Sequence, residues 1–577
     1  MIRIPNGYYR GRYESDAEFA QRRIWNLSGV DKVAVDTETI SLKDRTCIGI
    51  GVALSPQEAF YLEVLPAPSV MLHRVLALLS DSSITKIYHN GVYDLNVLQE
   101  LARFSTYTMP DTESIEDTAI MAQVSGHRPA LDVVGKEVAG RTDLFTIQEV
   151  LAEAKAATGR RTVTMLDVPV ETVAIKCMND VTTTYALYEQ LPKLMTERQW
   201  DCYQVDRRMV SILKDAETPG IKLRQDKLFE VREINHRQLA MYEKIADDNG
   251  FSLGSPQQVG HFLASRGNVL PIKYKRGKPA SLTTDEDALK VLDDPMAHMI
   301  LAARGLAKET STYVTPWLGS DRAYTHFRLD LSTGRLASFD RNLQNIPSNM
   351  RGIFAPDSNT WTISDLSQVE MRVWAHMTGD PVMLDAYKTG KDVHTITQMA
   401  LWPDSNPDSK DDRRPAKTFN FANIYYAKPS TLSKNTGIPV ARATAFQRDW
   451  FNLYPVGAAW MEQEAADETP YRETLSGRRM RLPTVDEMIY EQGRSEKGAI
   501  EHLQTCRVNW QVQGTAADIN KRGIVLLHDK YGRKGLRLQV HDEVLEDGDW
   551  PDMPDEVENI IPGLYTPYET YRGEYWK

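Results

Sequence analysis

The chain has 577 residues, of which 42% are hydrophobic and 25% charged, and its formal net charge is −11. It is too long for one hydrophobic core, and its composition is that of ordinary globular proteins, so we expect several domains. No apolar run reaches the roughly 18 residues of a membrane span, and the first residues lack a signal-peptide pattern. We therefore expect neither membrane insertion nor secretion. The four scattered cysteines fit no zinc-binding spacing and are expected to be reduced thiols in the cytoplasm.

The N-terminal third carries acidic residues on predicted strands and helices. Asp36 and Glu38 are two residues apart after the apolar run VAV, so both side chains leave one face of a strand. Asp94 follows Asn90 at helical spacing, and Asp180 opens the apolar-periodic segment NDVTTTYALYEQL. One acidic residue on a strand would mean little. Four carboxylates on three elements can converge on two metal ions that activate water for hydrolysis.

The next segment, residues 205–320, has a mostly helical pattern interrupted by glycine and proline. Within it, SRGNVLPIKYKRGKPAS has no acidic residue. Its cations are Arg266, Lys273, Lys275, Arg276 and Lys278. Such a run suits contact with a phosphate backbone, and a solvated loop is the alternative.

Two later segments each predict an aspartate at the end of a strand. A strand from Trp361 to Ser364 leads to Asp365, and a helix carrying Glu370 follows. In LRLQVHDEVLED the polar triplet that includes Asp542 interrupts two apolar runs, which predicts the tip of a hairpin. Each aspartate could simply cap a strand. Together they could hold two Mg²⁺ ions about 4 Å apart.

Between these segments, Arg413, Lys417, Phe421 and Tyr425 are spaced four residues apart. On a helix they form one stripe, with two cations followed by two aromatic rings. Pro415 predicts that the helix begins near Asp412, since proline is tolerated in a first turn. This order suits a ligand with a polyanionic tail and a flat base, such as a nucleoside triphosphate. The alternative is a solvated basic end that runs into a buried aromatic end.

These motifs resemble those of family A DNA polymerases. DLSQVEMR, the Arg-Lys-Phe-Tyr helix and QVHDE are similar to the three polymerase motifs of the family, in the same order, and TGRLASFDRNLQNIP, SGRRMRLP and NWQVQGTAADI extend the resemblance. The acidic N-terminal pattern resembles the proofreading 3′–5′ exonuclease domain that precedes the polymerase in many members.

The resemblance implies a multidomain α/β and α+β protein, in which a ribonuclease H-like exonuclease domain precedes a right-hand polymerase domain. The expected boundaries are 1–195 for the exonuclease, 205–320 for the thumb, 321–400 with 500–577 for the palm, and 401–499 for the fingers. SGRRMRLP, which starts at Ser476, is expected to form a basic patch in addition to the one in the thumb segment.

The resemblance also implies the role of each site residue. Asp365 and Asp542 would bind the polymerase metal ions, and Lys417 would neutralise charge on the transferring triphosphate. The remaining nucleotide-binding residues would be Arg413, Phe421, Tyr425, Glu370, Gln368 and His394, with Glu370 crowding the sugar 2′ position. The DNA-binding residues would be Arg335, Asn342, Gln344, Asn509, Gln513 and His541. The exonuclease metal ligands would be Asp36, Glu38, Asp94 and Asp180.

The chain departs from the family pattern at several positions. Ala422 and Tyr426 replace usual glycines, and Leu366 replaces a frequent tyrosine. Lys176 stands four residues before Asp180, where a tyrosine that orients the attacking water is expected. Metal binding is still predicted there, whereas a weakened or purely structural exonuclease domain is the alternative to proofreading.

The resemblance implies Mg²⁺ as cofactor, with two ions in each centre and Mn²⁺ as a substitute. Primer–template DNA and dNTPs are the expected partners of a monomer. The compact chain also suggests a bacteriophage replicative enzyme that acts in the host cytoplasm. Other hypotheses are a nuclease whose polymerase half only positions DNA, a non-catalytic DNA-binding scaffold and an RNA polymerase. The complete set of metal ligands and phosphate cations disfavours the first two, and Glu370 disfavours the last.

Overall fold

The computed structural model describes residues 8–9, 29–41, 44–65, 70–102, 114–273, 280–436 and 438–576. Lys275, Arg276 and Lys278 of the basic thumb segment lie outside the described residues. So does most of the sequence that precedes the first acidic motif.

The N-terminal unit is a six-stranded mixed sheet in the order β1-β4-β3-β2-β5-β6. The central strand β2 is parallel to β5 and antiparallel to β3. Val33, Ala34 and Val35 of β2 are all buried, as expected for a strand covered on both faces. The strands are β1 (Tyr8–Tyr9), β2 (Lys32–Thr39), β3 (Cys47–Ser55), β4 (Glu58–Glu63), β5 (Thr85–Tyr88) and β6 (Ile115–Asp117). The helices are α1 (Val70–Ser80), α2 (Gly91–Ala102), α3 (Thr118–Val124), α4 (Leu131–Ala139), α5 (Ile147–Thr158) and α6 (Val170–Leu194).

A mostly helical segment follows, as its pattern predicts. The long helix α7 leads from the N-terminal unit into it, and short strands punctuate it. The helices are α7 (Glu197–Glu217), α8 (Gln225–Asp248), α9 (Pro256–Ser265), α10 (Glu286–Lys290) and α11 (Pro295–Glu309). The strands are β7 (Ile221–Leu223), β8 (Ile272–Lys273), β9 (Ser281–Leu282), β10 (Arg322–Ala323), β11 (His326–Arg328), β12 (Ala337–Phe339) and β13 (Phe354–Ala355).

The sheet that matters most for function is four-stranded and antiparallel, in the order β17-β18-β14-β19. It joins residues almost 200 positions apart in sequence, with Asp365 opposite Glu543 on one side and Glu569 on the other. Its strands are β14 (Trp361–Leu366), β17 (Leu536–Val540), β18 (Glu543–Asp547) and β19 (Tyr568–Gly573). A small hairpin precedes β17 in the chain, formed by β15 (Tyr471–Glu473) and β16 (Arg479–Arg481).

Helices make up most of the remaining C-terminal part of the chain. They are α12 (Val369–Thr378), α13 (Pro381–Thr389), α14 (Val393–Leu401), α15 (Lys410–Ile424), α16 (Pro429–Thr436), α17 (Val440–Leu453), α18 (Pro455–Ala466), α19 (Val485–Gln492), α20 (Glu496–Asp529) and α21 (Asp555–Glu558). In the described ranges, none of the helices combines the length and apolar character that crossing a bilayer requires.

A buried ion network ties α7, the β15–β16 hairpin and α20 together. Asp206 of α7 forms ion pairs with Arg478 at 2.8 Å and with Lys521 at 2.5 Å. Arg478 also forms an ion pair with Asp518 at 2.7 Å. The Arg478 side chain is only 1% exposed. Buried ions of this kind persist only when each is paired, so the network fixes how these three elements meet.

The N-terminal unit also contacts the C-terminal part of the chain directly. Arg45 forms an ion pair with Asp340 at 2.7 Å. Arg128 lies 3.4 Å from Glu487, and Ser125 forms a β-bridge to Arg479. The two parts are therefore joined by polar contacts as well as by a shared hydrophobic core.

Candidate active sites

The strand end that carries Asp365 is hydrogen-bonded to the hairpin tip that carries Asp542. The Leu366 N–H donates to the Asp542 carbonyl at 3.2 Å, and the Asn520 side chain of α20 donates to the same carbonyl at 3.3 Å. The predicted hairpin tip is present, with a turn at His541 and Asp542 between β17 and β18. Three separate elements thus hold the two aspartates next to each other.

The electrostatics of this pair match a cation site. Burial, together with repulsion from the neighbouring Asp542, Glu543 and Glu569, raises the pKa of Asp365 to about 7. Burial also raises the pKa of Asp542. Crowded, partly buried carboxylate oxygens are the ligands that Mg²⁺ prefers, so this donor set fits a divalent ion. No local sequence pattern pointed to Glu569, which reaches Asp365 only through the pairing of β19 with β14.

These pKa shifts predict that the affinity of this site for metal depends on pH. A divalent ion binds the ionised carboxylate, so protons compete with it below the raised pKa. Affinity should therefore rise about tenfold per pH unit up to about pH 7 and then level off, because one proton is displaced. Mn²⁺ titrations followed by electron paramagnetic resonance between pH 5.5 and 8.5 would measure this. A pH-independent affinity across that range would contradict the prediction.

Beside the two aspartates opens a cleft of about 370 Å³ whose walls include Arg335, Glu370, Phe421, Tyr425 and Asp542. Glu370 is 7% exposed and accepts hydrogen bonds from both Arg335 and Tyr425. These two donors anchor the carboxylate in one place at the cleft wall.

The cationic stripe lies on α15, but the helix begins earlier than the sequence predicts. It starts at Lys410 rather than near Asp412, because the Ser409 hydroxyl accepts a hydrogen bond from the Asp412 N–H at 3.2 Å and caps the end. Pro415 consequently lies beyond the first turn. The helix N-terminus is therefore farther from Lys417 than expected, and the side chains must supply the positive charge.

The stripe residues have different partners. Arg413 forms an ion pair with Asp392, whereas Lys417 lies 6.0 Å from the Phe421 ring centre. The charge of Lys417 also acts to lower the pKa of both Asp365 and Asp542, which places it near the acidic pair. Tyr425 follows the last residue of the helix as its C-cap.

His394 is buried beside the stripe, with its ring 5.9 Å from that of Phe421. Its Nδ1 accepts a hydrogen bond from Asn420 at 2.9 Å, and its Nε2 has no hydrogen-bond partner among the described residues. Burial lowers the pKa of His394 to about 4. His394 is therefore a neutral donor at physiological pH, not a third cation.

Gln368 lies at the start of α12 with a left-handed backbone (φ 54°) and accepts a hydrogen bond from the Tyr387 hydroxyl at 3.1 Å. Tyr426, one of the departures from the family pattern, is also left-handed (φ 56°). Glycine adopts this conformation without strain, which explains why a glycine is usual there.

The residues predicted to contact DNA lie on several elements around the cleft. Gln344 donates to the Gln539 carbonyl at 2.9 Å, and Asn342 accepts from the Ser338 hydroxyl at 2.8 Å. Asn509 is buried on α20 with its Oδ1 unpaired among the described residues. Gln513 follows one turn later and is partly exposed. His541 is exposed at the hairpin tip with φ 58°, and both His541 and Arg335 line the cleft.

The expected basic patch in SGRRMRLP is not a free cationic surface. Arg478 is buried in the ion network, Arg479 pairs with Glu473 at 3.0 Å, and Arg481 pairs with Glu487 at 2.6 Å. Each guanidinium is neutralised by a nearby carboxylate that the local sequence pattern did not reveal.

In the N-terminal unit the four predicted carboxylates converge. Asp36 and Glu38 lie on β2, and the charges of Glu38, Asp94 and Asp180 all raise the pKa of Asp36, after the larger effect of burial. Asp94, in the first turn of α2, accepts hydrogen bonds from the Thr37 N–H at 2.8 Å and its hydroxyl at 2.6 Å.

Lys176 lies inside this cluster, a position that the absence of the expected tyrosine does not by itself predict. Its ammonium is 2.7 Å from Asp180 and 2.9 Å from Glu38. The spacing of four residues to Asp180 on one helix was a signal for an ion pair. The Cys177 thiol is the next neighbour, 3.4 Å from the Asp36 carboxylate.

Comparisons with known proteins match the two regions of the chain in which these centres lie. A family model for "DNA polymerase family A" matches residues 225–561, and one for "3′-5′ exonuclease" matches residues 13–196. DNA polymerase I of Pseudomonas aeruginosa is 29% identical over 593 aligned residues, which cover 93% of this chain and 61% of that protein. The thermostable DNA polymerase I of Thermus thermophilus is 32% identical over 60% of this chain and 43% of its own length.

The fold has a solved counterpart. The polymerase domain of Pol1 from M. smegmatis, in complex with DNA primer-template and dNTP, superposes with a TM-score of 0.74 at 22% identity, covering 95% of this chain and 97% of that one. The chain spans about three-fifths of the full length of the first of the bacterial relatives. Its motifs, the matched family model and its fold together show that the chain belongs to DNA polymerase family A and carries a 3′–5′ exonuclease domain ahead of the polymerase region.

Proposed function

We propose that the protein is a template-directed DNA polymerase that adds dNTPs to a primer 3′ end. The observation that carries the proposal is that Asp365 and Asp542 lie next to each other, beside a cleft whose walls include Glu370, Phe421 and Tyr425. The charge of Lys417 reaches the same aspartates. That the mycobacterial counterpart was solved with primer-template and dNTP supports this choice of substrates.

In the proposed reaction, Asp365 and Asp542 would hold two Mg²⁺ ions, for which Mn²⁺ could substitute. Bound there, such ions would supply activation of the primer hydroxyl and stabilisation of the leaving oxygens. Lys417 stabilises the charge that develops on the triphosphate, while Arg413 and the neutral His394 Nε2–H contact its outer phosphates. To reach a phosphate, Arg413 must exchange its ion pair with Asp392.

The wall residues would position the nucleotide. Phe421 and Tyr425 pack against its sugar and base, and Gln368 approaches it from the start of α12. Glu370 takes up the space that a ribose 2′-hydroxyl would need.

The DNA itself would lie across the amide and basic residues near the cleft. Hydrogen bonds in the minor groove reach acceptors common to all base pairs, which allows pairing geometry to be tested without reading sequence. We assign this role to Arg335, Asn342, Gln344, Asn509, Gln513 and His541.

We assign residues 1–195 to the exonuclease domain, 205–320 to the thumb, 321–400 and 500–577 to the palm, and 401–499 to the fingers. The convergence of Asp36, Glu38, Asp94 and Asp180 favours 3′–5′ hydrolysis as a second activity. A cytoplasmic monomer, and a bacteriophage source, stay predictions from the resemblance; the relatives reported above are bacterial DNA polymerase I enzymes.

A labelled primer–template incubated with Mg²⁺, with and without the four dNTPs, tests the proposal. Extension that depends on dNTPs is expected. An unextended primer under several salt and divalent-ion conditions would favour a DNA-binding scaffold. Equal extension with ribonucleotides would favour an RNA polymerase.

A Glu370→Ala chain should incorporate ribonucleotides more readily. Removing the side chain opens the wall beside the sugar, so discrimination between dNTP and NTP in kcat/KM should fall at least about tenfold, or ~1.4 kcal/mol. Glu370→Gln is the matched control, because it keeps the volume and should keep most of the discrimination. Unchanged sugar selection in Glu370→Ala would show that another residue blocks the 2′ position.

A further inference from the structure

The exonuclease centre contains a cation of its own. Lys176 lies one helical turn before Asp180 on α6, and its ammonium joins Asp180, at 2.7 Å, to Glu38 of β2, at 2.9 Å. The Lys176 side chain is 11% exposed, and the two carboxylates are similarly covered. The ammonium therefore bridges two predicted metal ligands from separate elements.

This arrangement does not fit a divalent ion between the same two carboxylates. Mg²⁺ lies about 2.0–2.1 Å from each oxygen it binds, so it would need the space that the ammonium fills. Two cations at such a short separation also repel strongly in a partly buried site. A divalent ion can enter only if Lys176 leaves both partners. Breaking both of these buried ion pairs costs free energy, because it leaves the Lys176 ammonium without its partners.

In the described part of this centre, the other group of possible metal ligands is not independent of Lys176. Asp94 is turned toward Thr37, from which it accepts two hydrogen bonds. The closest group of ligand atoms among the described residues is Asp36, Glu38 and Cys177, all within 4.8 Å of one another, and Glu38 in that group already binds Lys176. The carboxylates are all present, but the space they enclose is taken.

We propose that Lys176 is a tethered monovalent cation that replaces a divalent ion between Glu38 and Asp180 and competes with metal for the exonuclease centre. The proposal deepens the exonuclease assignment and does not depend on nucleotide addition. Divalent-ion concentrations that fill the Asp365–Asp542 centre leave the exonuclease centre incompletely loaded. The protein is thereby biased toward synthesis over editing, and its N-terminal unit stays folded without metal.

Metal binding to the full chain without DNA tests the proposal. Lys176→Met removes the charge and keeps most of the length, and Lys193→Met makes the same change at an exposed lysine of the same helix. Mn²⁺ titration followed by electron paramagnetic resonance should reveal an added site in Lys176→Met. That site should be at least about tenfold tighter than any the unaltered chain shows there. Because the palm is unchanged, the difference from Lys193→Met isolates the exonuclease centre.

Thermal unfolding supplies a second readout. In EDTA, Lys176→Met should melt at a lower temperature than the unaltered protein, since Glu38 and Asp180 lose their counterion, and Mn²⁺ should restore the melting temperature. Lys193→Met should behave like the unaltered chain. If the unaltered chain binds Mn²⁺ at the exonuclease centre as tightly as Lys176→Met does, the lysine is not a competitor and the proposal is wrong.

Should Lys176→Met fail to fold even with Mn²⁺, the unaltered protein still decides the matter. Its primer shortening without dNTPs should need at least about tenfold more Mn²⁺ than its primer extension, or should not occur. Equal metal requirements would overturn the proposal. Failure of extension alone would count against the polymerase function and leave the binding result intact.

Discussion

An Asp365→Asn chain should add nucleotides at least about a thousandfold more slowly than the unaltered protein, which corresponds to ~4 kcal/mol of lost transition-state stabilisation. The reason is local. Asp365 is surrounded by Asp542, Glu543 and Glu569, whose repulsion adds to burial in raising its pKa, and a bound divalent ion would relieve this repulsion. Replacing Asp365 by the neutral amide removes a charged ligand at the centre of the cluster while keeping its shape. Single-turnover primer extension at saturating Mg²⁺ measures the loss.

The control for this prediction is Asp385→Asn, the same chemical change at an exposed position of α13. It should leave the extension rate within about twofold, and both variants should unfold at or above the temperature of the unaltered chain, because surface substitutions change stability little and Asp365 is repelled by its neighbours. If the Asp365→Asn chain retained a tenth or more of the normal rate, the assignment of Asp365 as a metal ligand would be wrong.

The second large effect is on stability. Asp206→Ala should lower the free energy of unfolding by about 3–5 kcal/mol, because Arg478 and Lys521 would then be buried with too little negative charge. Asp206 is fully buried and is the residue of α7 that both cations share. Urea denaturation followed by tryptophan fluorescence should show the transition that involves α7 and α20 move to lower urea concentration.

Asp201→Ala is the matched control, since Asp201 is exposed on the same helix. It should shift the unfolding free energy by no more than about 0.5 kcal/mol. Equal transitions for the two variants would mean that Asp518 alone can compensate both cations, and the network would then be weaker than its burial implies.

Sequence patterns predicted which acidic residues converge better than they predicted the packing around them. A strand end, a hairpin tip, a strand face and a helical segment singled out Asp365, Asp542, Asp36 and Asp180, because a strand or helix fixes side-chain direction locally. The start of α15 was wrong by two residues, because the Ser409 cap competes with the proline signal.

The remaining surprises depend on partners distant in sequence. Arg478 looked like part of a DNA-binding patch, yet Asp206 lies more than 270 positions away and no local pattern links them. Glu569 faces Asp365 only because β19 pairs with β14. In the sequence, Lys176 is noticed only because it replaces an expected tyrosine. Its ion pair with Glu38 forms only when α6 packs on β2.

The long helix α20 has a mechanical consequence. Its 34 residues extend roughly 50 Å. Asn509 lies on the same helix before Asn520, whose side chain is hydrogen-bonded to the Asp542 turn. Lys521 forms an ion pair with Asp206 of α7. A helix attached at these points holds the Asp542 turn close to α7. In the proposed function, the primer end itself would move between the two sites. The rate of this transfer would depend on how easily a mispaired primer end separates from the template.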